Sequence, residues 1–160
     1  MALDKAECWL KNMGFGDRII ETEQSSATVT EAAQALGCEP GMIAKTLSFL
    51  VNNRPVLILA DGIARIDNRK FKDFFCCKAK MIPAEHVGNL IGHETGGVCP
   101  FGVNEGVTVY LDNSLRKHET VYPAAGNDHS SVRLSVAELE KCSGYKAWID
   151  VAEKGRKSHE

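Results

Sequence analysis

The sequence has no long hydrophobic run, which argues against a membrane-spanning helix. Its longest apolar stretch extends only from Pro55 to Ala60, whereas a transmembrane helix needs about 20 apolar residues. The N-terminal residues Met1 to Lys5 also lack the apolar centre of a signal peptide. We therefore expect a cytoplasmic protein with no membrane partner.

An excess of positive charge is also missing. The 160 residues include 19 Lys and Arg against 21 Asp and Glu, which gives a formal net charge of -2. Proteins that coat DNA or RNA bind largely through many basic side chains that displace counterions. The charge balance excludes such a protein, predicts no DNA partner, and restricts RNA binding to a local basic patch.

The cysteines show no metal-binding or disulfide spacing. None of the six forms a C-x-x-C pair, and a chain of this length can bury enough surface to fold without disulfides. They are Cys8, Cys38, Cys76, Cys77, Cys99 and Cys142. We expect reduced thiols, no zinc site, and no metal or other cofactor.

What is present is the composition of an ordinary globular domain, with 44% hydrophobic and 25% charged residues. The length corresponds to about one domain, which we place at residues 1–152. Residues 153–160 are almost wholly polar. They are predicted to form a flexible tail, because they bury too little surface to offset the entropy of ordering them.

Apolar spacing and capping residues predict one α/β (α+β) domain, with a curved mixed β-sheet and flanking helices. Thr28 with Glu31, and Ser135 with Glu138, form capping-box patterns. Asn52 and Asn53 predict the turn of a hairpin. The predicted helices span 3–13, 29–36, 68–75, 83–92 and the residues after 135, and the predicted strands span 43–51, 55–60, 79–82, 107–111, 120–123, 131–134 and 147–151.

The period-two pattern of the first predicted strand places a lysine on its apolar side. Lys45 shares that side with Ile43, Leu47, Phe49 and Val51. Either the ammonium extends to water from near the end of the strand, or the apolar side lines a pocket in which the ammonium binds an anion or a carbonyl group. A buried lysine with a lowered pKa could also act as a base.

A glycine-rich loop between Gly92 and Gly106 is the second candidate site. Its sequence is Gly96-Gly97-Val98-Cys99-Pro100-Phe101-Gly102. Such a backbone can approach a ligand closely and direct amides at it, although the same glycines also fit a surface turn. The loop is no P-loop, since no Gly-Lys-Ser/Thr follows, and no dinucleotide fingerprint, since its first glycine follows a helix.

Cys99 within this loop is a candidate nucleophile. His93 or His129 would serve as its base, because a thiol needs a neighbouring base to become a thiolate. No spacing in the sequence brings these residues together, and a packing role for Cys99 stays open.

The stretch from Arg65 to Lys80 is strongly basic. Its sixteen residues carry six basic and two acidic side chains. The basic residues are Arg65, Arg69, Lys70, Lys72, Lys78 and Lys80. Interleaved with three phenylalanines, they predict either a phosphate-contacting patch or an amphipathic helix with a solvated basic face.

A polar turn lies between two of the predicted strands. Gly126-Asn127-Asp128 is a turn signature, and His129, Ser130 and Ser131 follow it as hydrogen-bonding groups.

Taken in order, these residues resemble the YbaK/prolyl-tRNA-synthetase-associated domain family of editing deacylases for mischarged tRNA. The resemblance covers roughly Thr28 to Trp148. It rests on the helix Thr30 to Gly37, the strand Ile43 to Phe49, the strand Pro55 to Ala60 with Gly62, the G-x-x-x-P loop Gly96 to Pro100, and the segment Gly126 to Leu139.

The resemblance implies hydrolysis of the ester that joins an incorrect amino acid to the terminal adenosine of tRNA, here tRNA for proline carrying Ala, Cys or another small residue. Lys45 would hold the 3′ end and polarise the ester, and the loop amides would stabilise an oxyanion. The implied catalytic residues are Lys45, Gly96, Gly97, Val98 and Cys99. The implied substrate-binding residues are Thr46, Ser48, Pro100, Phe101, Gly102, Gly126, His129 and Ser130, and Arg65, Arg69, Lys70, Lys78 and Lys80 are predicted to contact the tRNA backbone.

The implied partners are the tRNA acceptor end and, as a second candidate, prolyl-tRNA synthetase, with the protein itself a monomer or weak dimer. Cys99 stands where the family often has Ser or Ala, and Asn127-Asp128-His129 differs from the cysteine-removing members, which leaves the amino-acid preference open. A non-catalytic tRNA- or synthetase-binding module and a Cys99-dependent hydrolase are the alternative functions.

Overall fold

The computed structural model of the chain describes residues 2–26, 28–93 and 95–153, with side chains from Lys5 onward. Five helices are present: α1 (Ala2–Asn12), α2 (Val29–Leu36), α3 (Asn68–Phe75), α4 (Ala84–Ile91) and α5 (Val136–Cys142). The strands are β1 (Ile19–Glu21), β2 (Ala44–Val51), β3 (Arg54–Asp61), β4 (Arg65–Ile66), β5 (Thr108–Asp112), β6 (Thr120–Val121), β7 (Ser130–Val132), β8 (Leu134–Ser135), β9 (Ala147–Ile149) and β10 (Ala152–Glu153). Short 3-10 turns lie at Gly16–Arg18, Pro40–Met42 and Asn113–Lys117.

A mixed four-stranded sheet forms the centre of the fold, in the order β2-β3-β5-β9. β2 and β3 are antiparallel, whereas β3, β5 and β9 run parallel to one another. Three smaller antiparallel pairs, β1 with β7, β4 with β10 and β6 with β8, surround it. The predicted mixed α/β architecture is confirmed, and β2 lies at an edge of the main sheet.

The β2–β3 hairpin forms where the two asparagines predict it. Asn52 and Asn53 have φ values of 52° and 65°, and two consecutive residues in the left-handed region match the twist that a tight hairpin requires. Val51 therefore pairs directly with Arg54, and Lys45 pairs with Ala60.

The helices begin and end at the residues that the sequence marks. The Thr28 hydroxyl accepts a hydrogen bond from the Glu31 N–H at 3.1 Å, and Ser135 with Glu138 forms a complete capping box. Gly92 ends α4 with a φ of 102°, a conformation that glycine adopts without strain. No helix among the described residues is long and apolar enough to cross a membrane.

The main sheet is buried on both faces. Leu57, Leu59 and Leu111 pack into the larger core with α1, α4 and α5, while Ile58 and its neighbours on the opposite face pack against Phe71 of α3. Burial on both faces explains why the sequence of β3 is a continuous apolar run and does not alternate.

Several predicted boundaries were wrong. Residues 79–82 form no strand: Met81 makes only an isolated bridge to Phe49, since Pro83 follows at once and offers no N–H to extend a ladder. The strand predicted at 131–134 is divided into β7 and β8, which pair with different strands. The short strands β1, β4 and β10 were not predicted.

The first residue of the predicted flexible tail belongs to a strand. Glu153 pairs with Arg65 in the β10–β4 ladder, and residues 154–160 lie outside the described residues. The domain limits at 1–152 stay a prediction.

Candidate active site

A cavity of about 450 Å³ opens beside the free edge of β2. Its walls come from β2, the start of α2, α4 with the residues before it, the glycine-rich loop, and the segment that leads to β7. The cavity is large enough for a small-molecule group, since typical ligand sites span roughly 300–1,000 Å³.

The cavity exists because the edge of β2 is covered at both ends and open between them. At one end the Ala44 N–H donates to the Tyr122 carbonyl at 3.3 Å. At the other end the Ile82 N–H donates to the Ser48 carbonyl at 3.1 Å, and the Leu50 N–H donates to the Lys80 carbonyl at 2.8 Å. Only the stretch around Thr46 therefore faces the cavity.

Lys45 lines this cavity and is partly buried. Its ammonium donates to the carbonyl oxygen of Ala64, in the turn after β3. Burial lowers the pKa of Lys45, Arg65 lowers it further, and the negative charge of Asp61 opposes both. The structure favours a positioned ammonium over one that only extends into water.

Asp61 organises the turn that holds Lys45. Its fully buried carboxylate accepts hydrogen bonds from the Ile63 N–H at 2.8 Å and from His118 Nε2 at 2.6 Å, and Lys117 Nζ lies 3.1 Å away. Burial raises the pKa of Asp61, but these hydrogen bonds and the charge of Lys117 outweigh it and hold the pKa below its ordinary value. The sequence analysis missed Asp61 and its partners.

The glycine-rich loop forms the wall opposite β2. Gly96 and Val98 line the cavity, and Gly96 has a φ of 94°. Gly97 is buried against the polar turn, because an added Cβ there would lie 2.4 Å from Asn127 N and 2.5 Å from the carbonyl carbon of Gly126. Gly126 thus supports the loop and does not line the cavity.

Cys99 lies in the core and does not line the cavity. Its side chain is fully buried, its Sγ lies 3.5 Å from His93 Nε2, and burial raises the pKa of the thiol to about 12. His93 Nε2 donates to the Phe101 carbonyl at 2.6 Å, and burial lowers the pKa of this histidine. The geometry contradicts a thiolate nucleophile, because a neutral buried pair has neither charge nor access.

Three other loop residues predicted to bind substrate are also placed away from the cavity lining. Pro100 and Phe101 are buried, with Phe101 in the main core. Gly102 packs against α1, since an added Cβ would lie 2.7 Å from the Lys5 carbonyl oxygen. These three residues support the loop on the side that faces away from the cavity.

The segment after the polar turn contributes one of its two serines to the cavity. Ser131 lines the cavity, whereas Ser130, the serine implied to bind substrate, is fully buried in β7 outside the lining, because neighbouring strand residues point to opposite sides. His129 is exposed and its Nδ1 lies 3.0 Å from Asp128 Oδ1. Thr46 and Ser48 both line the cavity.

The basic stretch is exposed and lies outside the cavity lining. Arg65, Arg69, Lys78 and Lys80 are exposed, but Lys70 forms an ion pair with Asp150 at 3.0 Å. α3 is also amphipathic, with Phe71 fully buried. The amphipathic-helix interpretation describes α3, and a phosphate-contacting patch stays a prediction.

The sequence analysis did not identify most of the apolar side chains that line the cavity, nor the polar residues Ser26 and Thr95. Thr28, which also lines the cavity, was recognised only as the N-cap of α2. The apolar lining residues are Val29, Ala32, Ile43, Ala44, Leu47, Met81, Ile82, Ala84, Val87, Val98, Tyr122 and Ala124.

With this cavity and its lysine in place, the sequence matches the family model described as an aminoacyl-tRNA editing domain over residues 23–142. The chain belongs to this family. The matched residues include β2, α4, the glycine-rich loop and β7, and therefore every wall of the cavity.

Relatives of the chain point the same way. It is 46% identical to the uncharacterized protein YwhH of Bacillus subtilis (strain 168), over 83% of this chain and 85% of that protein. It is 30% identical to a proline–tRNA ligase of Limosilactobacillus fermentum over 56% of this chain, but spans only 17% of that ligase.

Solved structures share the fold. A crystal structure of a candidate trans-editing enzyme for prolyl tRNA synthetase superposes with a TM-score of 0.84 at 31% identity, covering 95% of this chain and 97% of that one. The fold of this chain is thus that of an editing domain.

Proposed function

We propose that this chain is an aminoacyl-tRNA deacylase that acts in trans and hydrolyses the ester of mischarged tRNA. The observation that carries the proposal is that Lys45 and the loop residues Gly96 and Val98 line one cavity. The family match supports the substrate class, and the matches to proline–tRNA ligases support tRNA for proline as the tRNA.

The chemistry needs little more than this arrangement. An aminoacyl ester is already activated, so a site that positions it and stabilises the developing oxyanion supplies most of the catalysis. The loop residues Gly96 and Val98 line the cavity, and among the described residues the backbone N–H of Val98 has no hydrogen-bond acceptor. This N–H and the Lys45 ammonium are the donors that we propose for the carbonyl oxygen of the ester.

In the proposed reaction, a water molecule adds to the ester carbonyl carbon and gives a tetrahedral oxyanion. The bond from that carbon to the ribose oxygen then breaks. The ribose oxygen takes one of the two protons of the water, the other proton passes to solvent, and the amino acid leaves as its carboxylate. No protein side chain becomes covalently attached, which agrees with the buried position of Cys99.

The exposed basic residues are proposed to contact tRNA phosphates. Arg65, Arg69, Lys78 and Lys80 are exposed, whereas the ion pair of Lys70 with Asp150 makes that residue a weaker candidate. Contacts through a few phosphates suffice for an enzyme that handles one end of a tRNA. We place this activity in the cytoplasm, where charged tRNA is used.

The test is hydrolysis of mischarged tRNA by wild type and by Lys45→Ala. Removing a donor to an oxyanion costs roughly 100- to 1,000-fold in turnover, and we expect a loss of that size with nearly unchanged thermal stability. Lys146→Ala is the matched control, because Lys146 is exposed and outside the cavity lining. Undiminished turnover by Lys45→Ala contradicts the mechanism, and tRNA binding without turnover by wild type favours the non-catalytic binding module.

A further inference from the structure

The open stretch of β2 presents unpaired backbone to the cavity. The outward hydrogen bonds of Ala44, Ser48 and Leu50 show that even-numbered residues of β2 direct their N–H and C=O groups away from β3. Thr46 belongs to the same set, yet no described residue bonds to its backbone on that side. Among the described residues, the N–H and C=O of Thr46 therefore have no partner on the cavity side.

Two buried hydroxyl groups on the cavity walls also lack partners. The Oγ1 of Thr46 and the Oγ of Ser26 are buried, and neither makes a hydrogen bond. A buried polar group without a partner destabilises a protein, and native structures contain few of them. Ser130 and Ser143 also carry unpaired buried hydroxyls, but among the described residues only those of Thr46 and Ser26 belong to the cavity lining, where a ligand can supply the missing hydrogen bonds.

The rest of the lining limits the size and charge of that ligand. Around the hydroxyls lie branched and small apolar side chains, among them Val29, Ala32 and Ile82. Among the described residues the lining contains no carboxylate, and Lys45 is its one charged side chain. A short, uncharged side chain with a hydrogen-bonding group fits such walls.

We infer that the cavity selects an aminoacyl group whose short side chain carries a hydroxyl, the chemistry of serine and threonine. The inference rests on the proposed function and names its substrate class. A site that hydrogen-bonds a substrate hydroxyl strongly rejects an analogue without one, because its own polar groups then stay unpaired. An apolar pocket of the same size discriminates far less.

The first experiment compares pairs of amino acids with and without a hydroxyl on one tRNA. The same tRNA is charged separately with threonine and valine, and with serine and alanine, and kcat/KM for deacylation is measured. We expect each hydroxylated residue to be preferred at least tenfold over its partner, as estimated from the cost of an unpaired polar group. Equal values, or a preference for alanine over serine with hydrolysis intact, overturn the inference and leave the proposed hydrolase standing.

The second experiment removes one hydroxyl. Thr46→Val keeps the shape of the side chain, and we expect the serine-to-alanine ratio of kcat/KM to fall at least fivefold. Thr30→Val is the matched control, since Thr30 is an exposed threonine of α2 that does not line the cavity, and it should keep the wild-type ratio. An unchanged ratio in Thr46→Val overturns the role of its hydroxyl.

A binding measurement separates this inference from the proposed activity. Non-hydrolysable 3′-seryl- and 3′-alanylamido-adenosine are titrated into the wild-type protein by calorimetry. If no aminoacyl-tRNA is hydrolysed, the proposed function fails, and tighter binding of the seryl compound still supports the selectivity of the cavity. Equal binding of the two compounds overturns it, since recognition of the shared α-amino group alone gives no such preference.

Discussion

At the residue scale, the charge state of Lys45 depends on a carboxylate that does not line the cavity. Asp61 fixes the turn by accepting from the Ile63 N–H, and the Ala64 carbonyl of the same turn receives the Lys45 ammonium. The negative charge of Asp61 also raises the pKa of Lys45 against the effect of burial. Asp61 is thus a positioning residue for Lys45.

Replacing Asp61 with asparagine should move the pH profile of deacylation. Without the negative charge, the pKa of Lys45 falls further below its ordinary value, so the ammonium is lost at lower pH and the alkaline limb of kcat shifts down. We also expect a loss of about 1–3 kcal/mol in unfolding free energy, because buried hydrogen bonds are broken. Asp150→Asn is the control, since Asp150 pairs with Lys70. An alkaline limb that stays in place in Asp61→Asn contradicts the positioning role.

The sequence could identify some of these residues and not others. Lys45 is singled out by the alternation of its strand, whereas Thr46 and Ser48, on the other side of that strand, came only with the family resemblance. Asp61 could not be recognised, because its partner His118 is 57 residues away in sequence. Cys99 was considered as a nucleophile because its residue type is reactive, and the sequence of a glycine-rich loop does not show whether a side chain in it is buried.

At the scale of elements, the cavity wall depends on two loops in direct backbone contact. Gly97 of the glycine-rich loop touches Gly126 and Asn127 of the polar turn. The two segments were each predicted as candidate sites, but their contact was not, because turn residues specify local conformation and not which loops meet.

Gly97→Ala should therefore reduce activity through the loop. The added Cβ would lie within 2.5 Å of backbone atoms that cannot move independently, so the loop amides shift, and we expect kcat for deacylation to fall about tenfold or more, by analogy with loss of an oxyanion donor. Gly144→Ala is the control for backbone strain away from these loops, because its φ is 66° while an added Cβ meets nothing within 4 Å, and it should lower stability but leave kcat unchanged. Wild-type kcat in Gly97→Ala would show that the amide positions do not matter.

The carboxylate of Glu138 both caps α5 and binds Arg18 in the N-terminal part of the chain. Glu138 completes the capping box with the Ser135 N–H at 2.8 Å and also pairs with Arg18 at 2.8 Å. The hydrogen bond from Arg18 is the largest cause that lowers the pKa of Glu138, to about 2, from an ordinary value of 4.5.

This carboxylate predicts an acid-dependent stability. Because the folded-state pKa is lowered, the stabilisation is fully present above about pH 4.5 and is lost as pH falls toward 2. Glu138→Gln should flatten that part of the dependence of unfolding free energy on pH, measured by urea titration. Glu85→Gln, an exposed residue in the first turn of α4, is the control. A pH dependence in Glu138→Gln equal to that of wild type contradicts the assignment.

At the scale of the whole molecule, the net charge of -2 is the sum of one locally basic region and a more acidic remainder of the chain. The exposed basic side chains are concentrated on β4, α3 and the segment after α3, while the rest of the chain carries the excess of acidic residues. If the proposed function holds, we expect the protein to bind tRNA weakly by itself, since few phosphates can be neutralised. Rapid turnover or a partner such as prolyl-tRNA synthetase would then complement the weak binding.

The most direct test of the central claim is single-turnover deacylation of one mischarged tRNA at saturating protein, compared between wild type, Lys45→Ala and Lys146→Ala. Saturation removes differences in tRNA affinity, so the rate reports the chemical step at the cavity. The account predicts that Lys146→Ala matches wild type and that Lys45→Ala is slower by roughly 100-fold or more. A Lys45→Ala rate equal to wild type would contradict it.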